Sequence, residues 1–310
     1  MSVPAQSAPS AADGSRSSTS SGTSSTSRRR RRGPRTWLAT VPLLAFTGLC
    51  FGLPVAALLY GAFTRDDPDT GATSFTGEHV ERSLQGPYLN SLIGSVQLST
   101  LVAVIGSLAG VLIAQAIVTS RRQWLRSATL TASGVLANFG GVPLAFAFIA
   151  TLGISGVVTE LASLGDLGWN LYSFTGLAVV YLYFLTPLMV LVIIPALDGL
   201  RPQWREAAQN NGASGPQFWR MVGLPVLAPS LMGGFVLLFG SAFAAHATAA
   251  ALVGGSVPLV TLKIADALSG NVMVGQENVA LALGLDMILI AGLVMAVYLP
   301  LQRRSARWLH

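Results

Sequence analysis

Long uncharged apolar runs alternate with short polar segments along most of the chain. A helix that crosses a membrane needs about 20 mostly apolar residues, and each run is long enough. The pattern therefore predicts an all-α polytopic membrane protein with six transmembrane helices. The predicted spans cover residues 36–64, 92–118, 128–152, 171–196, 226–250 and 279–299.

The composition supports this fold class. Of the 310 residues, 52% are hydrophobic and only 10% are charged, whereas a soluble globular chain carries about 25% charged residues. The polar residues are too few to cover a globule in water. Cys50 is the only cysteine, so a small scaffold held together by disulfides is excluded as well.

Residues 1–35 are mostly Ser, Thr, Ala and Arg, and they lack the large apolar side chains that a folded core needs. We predict a disordered cytoplasmic tail there. Arginine clusters of this kind also occur in nucleic-acid-binding segments. Because an uncharged run follows at once, contact with membrane lipid is favoured and no nucleic-acid partner is expected. That run is too long for a signal peptide, so it is predicted to be an uncleaved span.

The basic residues indicate how the spans are oriented. Of the 19 basic residues, all except Arg65, Arg82 and Lys263 lie on one predicted side, in the two terminal tails and in two of the loops. An excess of Lys and Arg marks the cytoplasmic side of a membrane protein. Both termini are therefore predicted to be cytoplasmic, as an even number of spans requires.

The sequence contains none of the motifs expected of an enzyme. Lys263 is the only lysine and lies outside a glycine-rich segment, so the chain has no phosphate-binding P-loop. Zinc-type His and Cys clusters and a Gly-x-Ser-x-Gly nucleophile motif are also missing from the sequence. We expect no catalytic residues, no metal site and no cofactor bound by this chain.

The loop between spans four and five has the features of a docking element. Pro202 suits the first position of a short helix, and Gly212 suits its end. Exposed apolar residues such as Trp204 indicate a surface that another protein covers. A second short helix is expected before Leu224-Pro225 returns the chain to the membrane, and Pro216 is expected to shorten that helix.

The same loop carries a spaced motif. In order, it consists of Glu206-Ala207-Ala208, three residues, Gly212, nine residues, Val222, one residue, and Leu224-Pro225. This motif resembles the EAA signature in the membrane subunits of binding-protein-dependent ATP-binding cassette importers, in which isoleucine is usual at the position of Val222. The resemblance covers about residues 90–301. It is greater to the branch for polyamines, iron, thiamine, sulfate and phosphonates than to the sugar branch.

The resemblance implies the type I importer permease fold in a bacterial plasma membrane. The permease domain would cover 36–302, with a short basic cytoplasmic tail at 303–310 and the EAA loop at about 198–225. That loop would form a coupling helix in a cleft of a separate ATPase subunit, which binds ATP and Mg. The implied roles are a polar contact for Glu206, close approach at Ala207 and Ala208, the turn at Gly212, and the return to span five at Leu224 and Pro225.

The resemblance also implies partners. These are a dimer of ATP-binding cassette ATPases, an extracytoplasmic solute-binding protein and a second permease subunit, for which a heterodimer is favoured over a homodimer. A polyamine-like or other small charged solute is the favoured substrate. A sugar-importer permease is the alternative within the family.

Four residues within the spans are candidates for the translocation pathway. Asn138 and Pro143 flank two glycines in span three, where a broken helix would line a cavity or allow close packing. His246 and Asp286 are ionisable groups expected in the outer half of spans five and six, and they are close enough in depth to pair. An ion-coupled secondary carrier that uses Asp286 or His246 is one alternative function, and a membrane scaffold without transport is another.

Overall fold

The computed structural model describes residues 40–66, 73–120, 122–269 and 277–306. The predicted tail at 1–35 and the end of the tail at 303–310 lie outside these residues. The described chain begins with α1, Val41–Thr47, and a π-helical turn, Gly48–Gly52. Every described side chain from Thr40 to Cys50 is exposed.

The part of the chain from Phe51 onward is a helical bundle with one small β-hairpin. Its elements are α2 Leu53–Phe63, β1 Thr64–Asp66, β2 Thr73–Phe75, α3 Glu78–Ser83, α4 Gly86–Thr119, α5 Gln123–Asn138, α6 Val142–Leu152, α7 Val157–Leu161, α8 Phe174–Asp198, α9 Pro202–Asn210, α10 Gly215–Phe218, a π-helical turn Trp219–Gly223, α11 Leu224–Ala244, α12 Ala247–Leu252, α13 Val260–Leu268 and α14 Glu277–Ala306. The two strands pair antiparallel, with Thr64 opposite Phe75.

Six helical stretches among the described residues are long and apolar enough to cross a membrane, which confirms the predicted fold class. They are Val41–Phe63, Gly86–Thr119, Val142–Leu161, Phe174–Asp198, Gly215–Ala244 and Glu277–Arg303. The predicted limits of the third span were wrong. Its apolar run from 128 to 152 is divided between α5 and α6, and the stretch that qualifies as a span starts only at Val142.

The main core forms where α4, α8 and α11 pack against one another. Tyr181 and Met189 of α8 are fully buried there, as is Leu238 of α11. Helix α5 packs along α8, and α6 packs against α12. This arrangement brings α5, α8 and the loop that follows α8 together at one end of the bundle.

A second, smaller contact region involves α14. Helices α2, α3 and α13 pack against α14, and Ala62, Ala282 and Leu285 form a separate buried cluster. Beside it, Glu78 is ion-paired to both Arg65 and Arg82, at 2.8 Å in each case. The pair with Arg65 attaches the β-hairpin to α3, and the side-chain amide of Asn278 in α14 donates to the carbonyl of Thr64 at 2.9 Å.

Candidate functional site

The EAA loop, residues 198–225, begins with the predicted short helix. Helix α9 starts with Pro202 in its first turn, where the missing N–H of proline costs no hydrogen bond. No residue of α9 is buried. Glu206 and Ala207 are exposed and Ala208 is half-buried, and Glu206 has no ion-pair partner in the part of the chain that the structure describes. The helix therefore presents a free surface.

Gly212 closes α9, as the sequence predicts. Its φ is +79°, in the left-handed region that glycine adopts at helix ends without steric cost. The N–H of Gly212 donates to the carbonyl of Gln209, and the N–H of Ala213 donates to that of Ala208, each at 2.9 Å. These bonds satisfy carbonyl groups at the end of the helix and fix the direction of the chain.

The second short helix of the EAA loop, α10, differs from the prediction. Pro216 does not shorten α10, because it lies in the first turn after the Ser214 cap. From α10 the chain continues without interruption through the π-helical turn into α11. The N–H of Leu224 donates to the carbonyl of Trp219, five residues earlier. This wide turn lies directly before Pro225, which has no N–H for a regular helical bond.

A long-range ion pair fixes the start of the EAA loop. Asp198, the last residue of α8, is paired with Arg126 in the first turn of α5. A cavity of about 200 Å³ lies between the ends of α4 and α8 and the two halves of the EAA loop. Arg201, Arg205 and Trp219 are among the residues that line it.

Two helix breaks lie at the other end of α5. The first is at Phe139–Gly141 between α5 and α6, where Gly141 has φ +76° and ψ −152°. The second is at Ala245–His246 between α11 and α12. Thr248, which is 3% exposed, joins the two breaks: its hydroxyl accepts from the N–H of Gly141 at 2.9 Å and donates to the Gly141 carbonyl at 3.3 Å.

Tyr181 holds the second break against the core. Its hydroxyl donates to the carbonyl of Ala245 at 2.9 Å, so the backbone group that the break leaves free is satisfied by α8. Neither Tyr181 nor Thr248 was predicted from the sequence. Both lie in apolar runs, and no local pattern distinguishes them from residues that only fill space.

Comparison with known proteins identifies the family of this chain. Residues 106–307 match the model of the family described as "Binding-protein-dependent transport system inner membrane component". The chain belongs to this permease family.

Curated relatives of this permease match at moderate identity. The chain is 27% identical over 289 residues to a probable ABC transporter permease protein, y4fN, of Sinorhizobium fredii, covering 88% of this chain and 47% of that protein. It is 40% identical over 68 residues to the sulfate transport system permease protein CysT of Salmonella typhimurium, covering 22% of this chain and 24% of that protein. The chain thus spans about half or less of the length of these relatives.

Solved structures show the same fold. A bacterial ABC transporter involved in the import of the acidic polysaccharide alginate aligns with a TM-score of 0.64 and 19% identity, over 88% of this permease and 96% of that chain. A second alginate transporter structure, in complex with an alginate-bound periplasmic protein, aligns with a TM-score of 0.66. At this identity the likeness concerns the fold alone. The family match and the six long apolar helices together show a multi-pass inner-membrane protein.

The structure brings three of the four pathway candidates of this permease to the breaks. Asn138 is exposed and its side-chain amide donates to the carbonyl of Gly134 at 2.8 Å. Pro143 lies in the first turn of α6, where its missing N–H costs no helical hydrogen bond. His246 is exposed between α11 and α12.

Asp286 lies elsewhere. It is 6% exposed and lies near Ser83 of α3, whose hydroxyl donates to the carbonyl of Val80 at 2.8 Å. Its Oδ2 atom has no partner among the described residues. Since His246 is exposed and no hydrogen bond or ion pair joins it to Asp286 in the described part of the permease, the two groups do not form the pair considered from the sequence.

Proposed function

We propose that this protein is the permease subunit of an ATP-driven solute importer and that the EAA loop couples it to separate ATPase subunits. The observation that carries the proposal is α9, a short helix that buries none of its residues and ends at a left-handed glycine. Trp204 and Ala207 are exposed and Ala208 is half-buried, and exposed apolar residues grouped on one short helix indicate a surface that another protein covers. ATP and Mg are bound by that partner, an ATPase dimer.

The free surface of α9 fits a cleft. Ala207 and Ala208 carry side chains too short to hold a partner backbone away, and Glu206 beside them offers an unpaired carboxylate. A carboxylate that loses water on docking needs a hydrogen-bonding partner, so the ATPase cleft supplies a donor there. The EAA loop lies on the cytoplasmic side in this proposal, together with both termini.

The two helix breaks form part of the translocation pathway in this proposal. Irregular backbone at membrane depth is tolerated where it lines a cavity or is buried in protein. Thr248 joins the breaks, while Asn138 and His246 remain exposed beside them and provide polar groups toward a solute. Closure of the ATPase dimer would move the EAA loops and open the cavity outward, and hydrolysis would reset it.

Specificity comes from partners outside this chain. We propose a small charged solute, with a polyamine-like cation favoured, delivered by an extracytoplasmic binding protein, and a second, homologous permease that completes a heterodimer. One relative is named for sulfate and the structural neighbours for alginate, so charged solutes are common to these proteins. Ligand screening of the partner binding protein would test the substrate, and a neutral ligand would contradict it.

The coupling role can be tested at Gly212. In a Gly212→Val variant, a β-branched side chain is forced into a left-handed conformation, which strains the end of α9. We expect normal membrane insertion but a loss of uptake of at least tenfold, while the ATPase continues to hydrolyse ATP. Uptake and hydrolysis are measured in proteoliposomes that contain the ATPase and the binding protein.

The matched control is Gly168→Val. Gly168 has nearly the same φ, +75°, and no atom lies within 4 Å of an added Cβ at either glycine. Gly168 lies in the loop between α7 and α8, far along the chain from the EAA loop. Equal effects of the two substitutions, or wild-type uptake in Gly212→Val, would contradict the role of the EAA loop.

A further inference from the structure

We propose that α5 is a strut that carries movement of the EAA loop to the helix break at Gly141, with Arg126 and Thr248 as the positioning residues at its two ends. The inference rests on the proposed coupling role of the EAA loop and extends it into the membrane domain. Two contacts support it. At one end of α5, Arg126 is ion-paired with Asp198 at the start of the EAA loop, and just beyond the other end Gly141 is hydrogen-bonded to Thr248, which joins the two breaks.

The first end of the strut is the ion pair between Arg126 and Asp198. The two residues are 72 positions apart in sequence, and Asp198 comes four residues before Pro202, where α9 starts. The side chains are 40% and 35% exposed, and neither makes another ion pair among the described residues. Partly exposed ion pairs contribute little to folding, so this one can be changed without unfolding the protein.

The body of the strut is a single regular helix. Helix α5 has 16 residues and no internal proline, which corresponds to a length of about 24 Å at 1.5 Å per residue. It packs along α8, with Ser133 buried and Leu130 against the main core. A helix supported in this way moves as one body, so a displacement at Arg126 reaches Asn138.

The second end of the strut is the break that Thr248 holds. Gly141 is the first residue after α5 whose conformation excludes side chains, and both of its backbone polar groups bind the buried hydroxyl of Thr248. Since Thr248 belongs to α12, a shift of α5 must either move α12 or break these two bonds. The strut thus connects the start of the EAA loop to both breaks.

The loop end can be tested by exchanging the charges. Arg126→Asp and Asp198→Arg each place like charges together, and the double variant restores an opposite pair. In proteoliposomes with the ATPase and the binding protein, we expect each single variant to lower the number of solutes transported per ATP at least threefold. We expect the double variant to recover most of this ratio. A residue needed only for folding would change the amount of protein and not the ratio.

Arg122→Asp is the control for the loop end. Arg122 is exposed at the cap of α5 and has no ion-pair partner among the residues that the structure describes, so the ratio is expected to stay at the wild-type value. Failure of the charge exchange to restore the ratio, with all variants inserted and bound to the ATPase, would overturn the strut. So would an unchanged ratio in both single variants.

The far end can be tested with Thr248→Val, which removes the hydroxyl at similar volume. We expect the number of solutes transported per ATP hydrolysed to fall as in the charge variants, while the protein still binds the ATPase. Thr129→Val is the control, because Thr129 is on α5 but its hydroxyl bonds only to the carbonyl of Leu125 in its own helix. Equal ratios in the two variants would overturn the strut. A wild-type protein that binds no ATPase would instead overturn the proposed function, and the strut with it.

Discussion

Met189 of α8 lies where three helices meet, and glycines explain how closely those helices pack. A Cβ added to Gly110 of α4 would lie 2.5 Å from the Cβ of Met189, and one added to Gly234 of α11 would lie 2.5 Å from its sulfur. Small residues allow close helix contact in membranes, where packing contributes much of the attraction between helices.

This packing predicts the effect of Gly110→Ala. The added methyl group would also lie 3.1 Å from the carbonyl oxygen of Thr186, which belongs to backbone and cannot rotate away. We expect the free energy of unfolding to fall by about 1–3 kcal/mol through overpacking, measured by denaturant or thermal unfolding in detergent. Gly240→Ala is the control, since nothing lies within 4 Å of an added Cβ there. A change in Gly240→Ala as large as in Gly110→Ala would contradict the packing argument.

Single residues differ in how far the sequence predicts them. Gly212 was predicted at a helix end because glycine after a short amphipathic segment is a local signal, and the structure confirms its position. The contact of Thr248 with Gly141 could not be predicted, since the partners are 107 residues apart and a threonine in an apolar run has no local signal. The same holds for the pair of Arg126 and Asp198.

At the scale of elements, the break between α5 and α6 depends on one of two adjacent glycines. Gly141 has φ +76°, whereas Gly140 has no positive φ, and an added Cβ at Gly140 would meet nothing within 4 Å. Only the second glycine is therefore required by the backbone. Gly140 therefore provides the control for a substitution at Gly141.

We accordingly expect Gly141→Ala to destabilise the break by about 1–3 kcal/mol, because an alanine is forced into a conformation that L-residues rarely adopt. Uptake should fall with it, while Gly140→Ala should remain near wild type in both thermal stability and transport. The comparison uses uptake in proteoliposomes and unfolding in detergent. If Gly140→Ala were the more harmful substitution, the conclusion that the break depends on Gly141 would be wrong.

Elements are predicted well where an uncharged run corresponds to one helix. Five of the six spans were located from such runs, and α9 from Pro202 and Gly212. The third span was misplaced because hydropathy does not register a change of direction at Phe139–Gly141. The π-helical turn before Pro225 was missed for a related reason: hydropathy does not show whether a proline ends a helix or is accommodated within it.

At the scale of the whole molecule, the orientation in the membrane is a prediction that labelling can test. The excess of arginine predicts that the EAA loop lies in the cytoplasm and that the loop between α7 and α8 lies outside. After Cys50→Ser, a cysteine introduced as Ser214→Cys should react with an impermeant thiol reagent only in inverted vesicles. A cysteine introduced as Gly165→Cys should react in intact cells. The reverse pattern would contradict the orientation, and with it the coupling role.

The uninterrupted path from α10 through the π-helical turn into α11 has a mechanical consequence. The stretch Gly215–Ala244 contains 30 residues, or about 45 Å of helix, and the hydrocarbon layer is about 30 Å thick. The helix is thus about 15 Å longer than that layer, so it must either tilt or extend into the headgroup regions. A sideways push on the end that carries α10 would therefore be passed along one continuous helix as far as the break at Ala245–His246, and the helix would bend most readily at the π-helical turn and at Pro229.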